Sequence, residues 1–320
     1  MTYVILYALA PIFIIMLLGY FAGKSKMVNN QDVSLLNIFV MDFALPAALF
    51  AATVQTPWVG IMQQTPLILV LVLAMWITYA VIYLVCTRVL HKSAQDAAVL
   101  TLTVALPNYA ALGLPILGSV LGETPSTSLS VAVSIACGSV LMTPFCLLIL
   151  EREKARASGG SQSASAALLP ILMWRSVKKP IVWGPLLGVV LSAFGVTMPG
   201  IVLAALKPLG LAATASALFL TGIILSARQV KINTAVVISC IAKNLIQPFI
   251  AWGLVLAFGL SGQVAVTAIL MIALAAGFFG IVFGNRFGVQ SPDAEASLLV
   301  SSVLCILTLP LFITLTASMH

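Results

Sequence analysis

Residues 105–116 read ALPNYAALGLPI: Pro107 and Pro115 stand eight apart, with Asn108, Tyr109 and Gly113 between them, in the middle of a long apolar run. Proline removes a backbone donor and clashes with the carbonyl four residues back, so this cluster unwinds a helix part-way along. A single proline would read as a packing kink. A Pro-Asn pair followed by Gly-x-Pro reads as a built interruption, and the freed peptide groups then need protein, water or ligand as partners.

The run around this break is one of ten. Apolar stretches fall near 2–22, 33–53, 66–87, 97–120, 126–150, 180–196, 205–227, 233–258, 262–284 and 295–316. About 20 apolar residues span a bilayer core. Hydrophobic residues make up 62% of the 320 and charged residues 7%, and the mean hydropathy is +1.17. No water-soluble domain has this composition. The expected solvent is the lipid bilayer, with almost nothing left over for a soluble domain.

Of the 15 Lys/Arg, 13 sit in every second gap: Lys24 and Lys26; Arg88 and Lys92; Arg152, Lys154, Arg156, Arg175, Lys178 and Lys179; Arg228 and Lys231; Arg286. Lys207 and Lys243 are the exceptions. The positive-inside rule makes that face cytoplasmic, with both termini outside and the connection 151–179 inside. The net charge of +7 is spread over short loops, not gathered into a nucleic-acid-binding patch. The first span lacks the basic residues that precede a signal peptide's apolar core, so it is expected to remain in the mature protein. Cys86, Cys137, Cys146, Cys240 and Cys305 all lie in apolar runs and read as packed thiols.

The polar stretch 151–179 divides the chain into a first five-span unit, 1–150, and a second, 180–320. The halves echo each other. Ala-Leu-Phe at 48–50 returns at 217–219, Ala105-Leu106 as Ala273-Leu274, and Pro144 as Pro310, with offsets of 169, 168 and 166. Five spans per half force the second copy to enter from the opposite side. Inverted repeats of this kind mark transporters, with the substrate site near the midplane.

The repeat predicts a second break in span 9, where the chain reads Ala275-Ala276-Gly277-Phe278-Phe279-Gly280. Here glycine replaces proline, permitting unwinding instead of compelling it. If both breaks cross, two half-helix N-termini point at an anion, with Asn108 and the peptide groups around Gly113 and Gly277–Gly280 as donors. Tyr109, Phe278 and Phe279 read equally as pocket wall or as ordinary packing.

Asp42 in span 2 and Lys243 in span 8 are the ionisable residues deepest in apolar runs, and intramembrane charge is a functional candidate by default. Lys243 with Asn244, Gln247 and Pro248 forms a polar cluster one helical turn long. The competing readings are a snorkelling or structurally paired Lys243 and an Asp42 that caps or pairs with a neighbouring helix. Ser130, Ser134 and Gly138, and Ser297, Ser301 and Cys305, form small-residue stripes that favour close helix packing, with Na⁺ coordination as the lesser reading. No phosphate-binding loop, metal-ligand spacing or catalytic triad is present in the sequence, so neither an enzyme nor a bound metal or cofactor is expected.

These residues resemble the auxin efflux carrier family: the Leu106-Pro107-Asn108, Gly113 and Pro115 break, the Ala44-Leu45-Pro46 to Phe50 run, and the Lys243 to Pro248 pattern. Within it the chain looks most like bacterial malonate carriers encoded beside malonate decarboxylase, on Asn37–Pro46 and Leu106–Pro115. The resemblance covers the whole chain. It implies an all-α integral membrane protein of bile-acid symporter-like, elevator type, with ten transmembrane helices as two inverted repeats and broken, crossing helices 4 and 9. Spans 1, 2, 6 and 7 would form a scaffold and homodimer surface, and the others a mobile domain, in the inner membrane of a bacterium. Where many relatives have a proline in the span 9 break, this chain has Ala275-Ala276-Gly277.

The expected function is uptake of malonate or a similar small carboxylate, coupled to H⁺ or Na⁺ because a dianion enters against a cytoplasm-negative potential. The alternatives are export of another organic anion, such as an auxin-like monocarboxylate, and a passive anion channel or sensor.

Overall fold

The computed structural model describes residues 2–30, 32–157, 170, 171, 174, 177–227 and 231–319. Most of the connection 151–179, including Arg175, lies outside the described residues, as does Arg228. The elements are α1 (Thr2–Lys24), α2 (Ser34–Gln55), α3 (Trp58–Val89), α4 (Ala94–Ala105), α5 (Tyr109–Leu121), α6 (Pro125–Ala157), α7 (Pro180–Ala193), α8 (Gly200–Ser226), α9 (Thr234–Ala257), α10 (Gly262–Ala273), α11 (Phe279–Arg286) and α12 (Pro292–Thr316). Among the described residues there is no strand. Six helices among the described residues, α2, α3, α6, α8, α9 and α12, are each long and apolar enough to cross a membrane.

Local chemistry sets the boundaries. Ser93, Thr124, Asn233 and Ser291 cap α4, α6, α9 and α12, their side-chain oxygens accepting from Asp96, Thr127, Val236 and Ala294 amides. The sequence reading extended span 6 to residue 196, but α7 stops at Ala193, because Gly195 turns left-handed (φ +67°) and the Val196 amide closes back on the Leu191 carbonyl. At the other end of the polar connection the helix of α6 runs on through Ala157, carried by an ion pair between Glu153 and Arg156 one turn apart.

Among the described residues five stretches widen into π-type turns: Phe39–Ala44, Val85–Val89, Tyr109–Gly113, Gly138–Met142 and Ala242–Ile246. Four have a sequence cause. Pro46, Pro115, Pro144 and Pro248 each stand two residues beyond a widened turn. Each would strike the carbonyl four residues back, that of Asp42, Ala111, Val140 or Asn244, and the backbone relieves the clash by widening. Asp42, Lys243 and Asn244 all stand in such turns.

Helix ends sort into two faces. On one, Asn30 donates to Ser226 across 2.9 Å, Lys92 bonds both Asp96 (2.8 Å) and Asp293 (2.5 Å), Asn233 donates to Asp293 (2.6 Å), and Ser291 hydrogen-bonds Asp96. Lys154 lies 5.7 Å from the Phe287 ring and Lys179 4.6 Å from the Phe283 ring on the same face. The basic gaps thus meet one another. On the opposite face Ser192 Oγ donates to the Thr56 carbonyl across 2.6 Å, tying the end of α7 to the end of α2. Small and aliphatic side chains fill the centre, where α4 and α10 are buried almost along their whole lengths.

Candidate functional site

Both sequence-predicted breaks are interruptions of helix. The α4 helix ends at Ala105 and α5 starts at Tyr109; the α10 helix ends at Ala273 and α11 starts at Phe279. The two gaps cross in contact. Pro107 and Ala276 form an antiparallel bridge, the Asn108 amide donates to the Ala275 carbonyl (2.9 Å), and the Gly277 amide donates to the Thr103 carbonyl (3.0 Å). Peptide groups freed by each break are thus satisfied largely by the other. The approach is close enough that a Cβ on Gly277 would lie 2.4 Å from the Leu106 carbonyl oxygen.

Asn108, 3% exposed, accepts from the Ala111 amide and caps the start of α5. Its amide nitrogen has no hydrogen bond among those described. Tyr109 is buried beside α3, its hydroxyl donating to Met75 Sδ at 3.6 Å. Gly113 and Pro115 are buried behind it, with Gly113 against Val131 of α6.

The polar cluster of α9 reaches both breaks. Lys243 is wholly buried; its Nζ donates to Gln247 Oε1 (2.5 Å) and to the Ile272 carbonyl (2.9 Å) near the end of α10. Gln247 Nε2 donates to the carbonyl of Ala105, the last residue of α4, at 2.7 Å. Lys243 does not snorkel. Its long stem turns inward because the wide turn at Ala242–Ile246 presents it to the interior, where the C-terminal carbonyls of two broken helices offer partial negative charge. Among the described residues no carboxylate pairs with it.

Asn244 completes the hub. Its Nδ2 donates to the Ser301 carbonyl (3.0 Å) and Thr308 Oγ1 (3.3 Å), while Ser301 Oγ accepts from the Ala276 amide (3.0 Å). Asn244 Oδ1 and Ser297 Oγ are buried with no partner among the described residues. Ser301 was read from sequence as packing; its four-residue spacing to Cys305, whose Sγ reaches the Ala273 carbonyl at 3.8 Å, was the available signal. Thr103 and Ala275 enter through main chain alone, and side-chain chemistry gave no signal for them.

Other predicted residues lie apart. Phe278 and Phe279 stack at 4.9 Å, and the stack continues to Phe283 toward the basic face, where Lys179 sits 5.6 Å from the Phe279 ring. Asp42 is exposed on α2, with no ion pair among the described residues, and does not join the crossing. It stands in the widened turn before Pro46, on the surface of the bundle.

Interrupted helices that cross inside an apolar helical bundle, with a buried lysine beside them, are an arrangement found in membrane transporters. The chain belongs to the family described as membrane transport protein, whose model matches residues 4–313, the family of the auxin efflux carriers. It is 28% identical over 305 residues to the uncharacterized transporter YfdV of Escherichia coli (strain K12), covering 95% of each chain. Identity is 26% over 306 residues to an uncharacterized transporter of Methanothermobacter thermautotrophicus (94% of this chain, 95% of the relative). It is 24% over 303 residues to a Rhizobium meliloti (strain 1021) protein whose name proposes malonate transport (93% and 91%). The protein is a multi-pass membrane transporter and not an enzyme.

Proposed function

We infer that the protein takes up malonate, or a small carboxylate like it, by cation-coupled alternating access. The observation that carries this reading is Lys243: an amine with no surface exposure, held by neutral oxygens at the crossing of two interrupted helices. A buried charge without its counter-charge is costly, and a carboxylate arriving at the crossing supplies it. The starts of α5 and α11 add positive helix ends, and the amide nitrogen of Asn108 adds a donor. The relative named for malonate transport supports the choice of substrate.

In this reading ten spans form two inverted five-helix units, 1–150 and 180–320, in a bacterial inner membrane, with the termini outside and the basic face cytoplasmic. The helices α1, α2, α7 and α8 form the fixed scaffold and dimer surface. The crossing belongs to the moving part. Asp42 is a coupling carboxylate on the fixed side. Each negative charge entering against a potential of 100 mV costs about 2.3 kcal/mol, so accumulation requires H⁺ or Na⁺ to enter with it.

The test is uptake of labelled malonate into proteoliposomes holding the purified protein, under imposed pH or Na⁺ gradients. Stimulation by one gradient, and acceleration of labelled entry by trapped unlabelled malonate, is the expected result. Entry that neither gradient stimulates sinks the coupling, and absence of counterflow sinks the carrier.

A further inference from the structure

A cleft lies not at the crossing but above it, on the face opposite the basic loops. It has a volume of about 630 Å³ and lies between the scaffold helices α1, α2 and α8 and the outer ends of α5 and α6. At its inner end it reaches Leu114, the residue after Gly113 of the first break. At its mouth stand Gln55, Glu123, Ser128 and Lys207.

We propose that this cleft is a second carboxylate site, a vestibule in which Lys207 and the first turn of α6 hold the anion before it reaches the crossing. The proposal rests on the anion-carrier reading above. Among the described residues Lys207, on α8, is the one basic side chain lining the cleft, and it departs from the charge pattern that puts the loop cations on the opposite face. The start of α6 points its positive end at the same space, with Pro125, Thr127 and Ser128 in the wall. Thr124 Oγ1 and its carbonyl take the amides of Thr127 and Ser128. The Ser126 amide and the Ser128 hydroxyl remain as donors.

The remaining wall explains why the site attracts without trapping. It is mostly Ala and Leu, including Ala48, Ala51, Leu203 and Leu211, so low-dielectric surfaces focus the Lys207 field into the opening. Glu123 also lines the cleft, and its side chain lies back against Gly118 near the end of α5. One cation opposed by one carboxylate gives weak, rapidly reversible holding, as a staging site on a transport path requires. Its volume falls within the range of small-molecule pockets and exceeds what a single three-carbon dicarboxylate fills.

Uptake kinetics of labelled malonate test the proposal with wild type, Lys207→Gln, Lys207→Glu, Lys207→Arg and Glu123→Gln. The expected result is a KM raised about threefold to tenfold in Lys207→Gln and further in Lys207→Glu, with the maximal rate nearly kept, recovery in Lys207→Arg, and a lowered KM in Glu123→Gln. Raising ionic strength should shrink these differences. A second readout is Lys207→Cys, reacted with a cationic or an anionic methanethiosulfonate: the cationic reagent should restore uptake and the anionic one depress it. Unchanged KM in Lys207→Glu alongside normal wild-type uptake overturns the vestibule and leaves the carrier reading standing. Wild-type protein that neither takes up nor exchanges malonate overturns the carrier reading, and the vestibule with it.

Discussion

The amide of Asn108 donates to the carbonyl of Ala275 across 2.9 Å, joining the gap in one broken helix to the gap in the other. The side chain of the same asparagine caps α5 through the Ala111 amide. Asn108→Ala keeps the main-chain link and loses both the cap and the amide donor. Loss of such a cap costs about 1 kcal/mol, so the variant should still fold. Malonate uptake should fall severalfold in proteoliposomes containing equal amounts of folded protein, and wild-type kinetics there would remove Asn108 from the site.

Replacing Lys243 separates charge from packing. Lys243→Met keeps the length of the buried stem and removes the amine; the burial penalty on an unpaired charged group, on the order of several kcal/mol, exceeds the about 1–3 kcal/mol cost of leaving the Gln247 and Ile272 oxygens without their donor. The thermal midpoint in detergent should therefore hold or rise. Uptake should drop at least tenfold, since losing one partner of a buried charged contact costs about 2 kcal/mol or more of binding. A variant that melts earlier yet transports normally would make Lys243 a structural clamp on the Ile272 carbonyl.

Close approach at the crossing leaves no room for a methyl group. A Cβ at Gly277 would meet the Leu106 oxygen at 2.4 Å, and one at Gly280 the Val99 oxygen at 2.3 Å, whereas Gly253 faces open space. Gly277→Ala and Gly280→Ala should each destabilise by about 1–3 kcal/mol. Gly253→Ala should be neutral or stabilising by up to about 1 kcal/mol. Comparing the three melting temperatures checks the geometry without any transport assay.

The ionic tie on the basic face has a definite pH signature. Burial works against the charge on Lys92, but hydrogen bonds to Asp293 and Asp96 outweigh it and raise the ammonium above its ordinary value of 10.5. A value raised on folding gives a stabilisation complete below about 10.5 and lost as the pH climbs through the folded-state value. Lys92→Met should therefore melt below wild type by a constant margin between pH 7 and about 9.5, equivalent to about 2 kcal/mol. The margin should narrow only above about pH 10.5; narrowing already at neutral pH would refute the assignment.

Much of this arrangement was legible from residue type. Pro107, Pro115 and Gly277 declared the two interruptions because proline and glycine act on their own backbone, and the Lys243, Asn244 and Gln247 cluster declared itself because polar groups in an apolar run need partners. The alternation of basic gaps foretold which helix ends meet. What stayed hidden depends on tertiary placement. Nothing in the string told that Ser301 would receive the Ala276 amide, or that Asp42, deep in an apolar run, would face outward. The cleft beside Lys207 has no sequence signature at all, since five helices must pack before its walls exist.

The joint between the two gaps is made of peptide groups: Asn108 to Ala275, Gly277 to Thr103, and the bridge of Pro107 with Ala276. Bonds of this kind ask little of side-chain identity beyond smallness. A lineage can therefore exchange the residues bordering the joint, and so the metabolite it favours, while the joint itself endures. Evolution in such a protein is free to redecorate a cradle it does not have to rebuild.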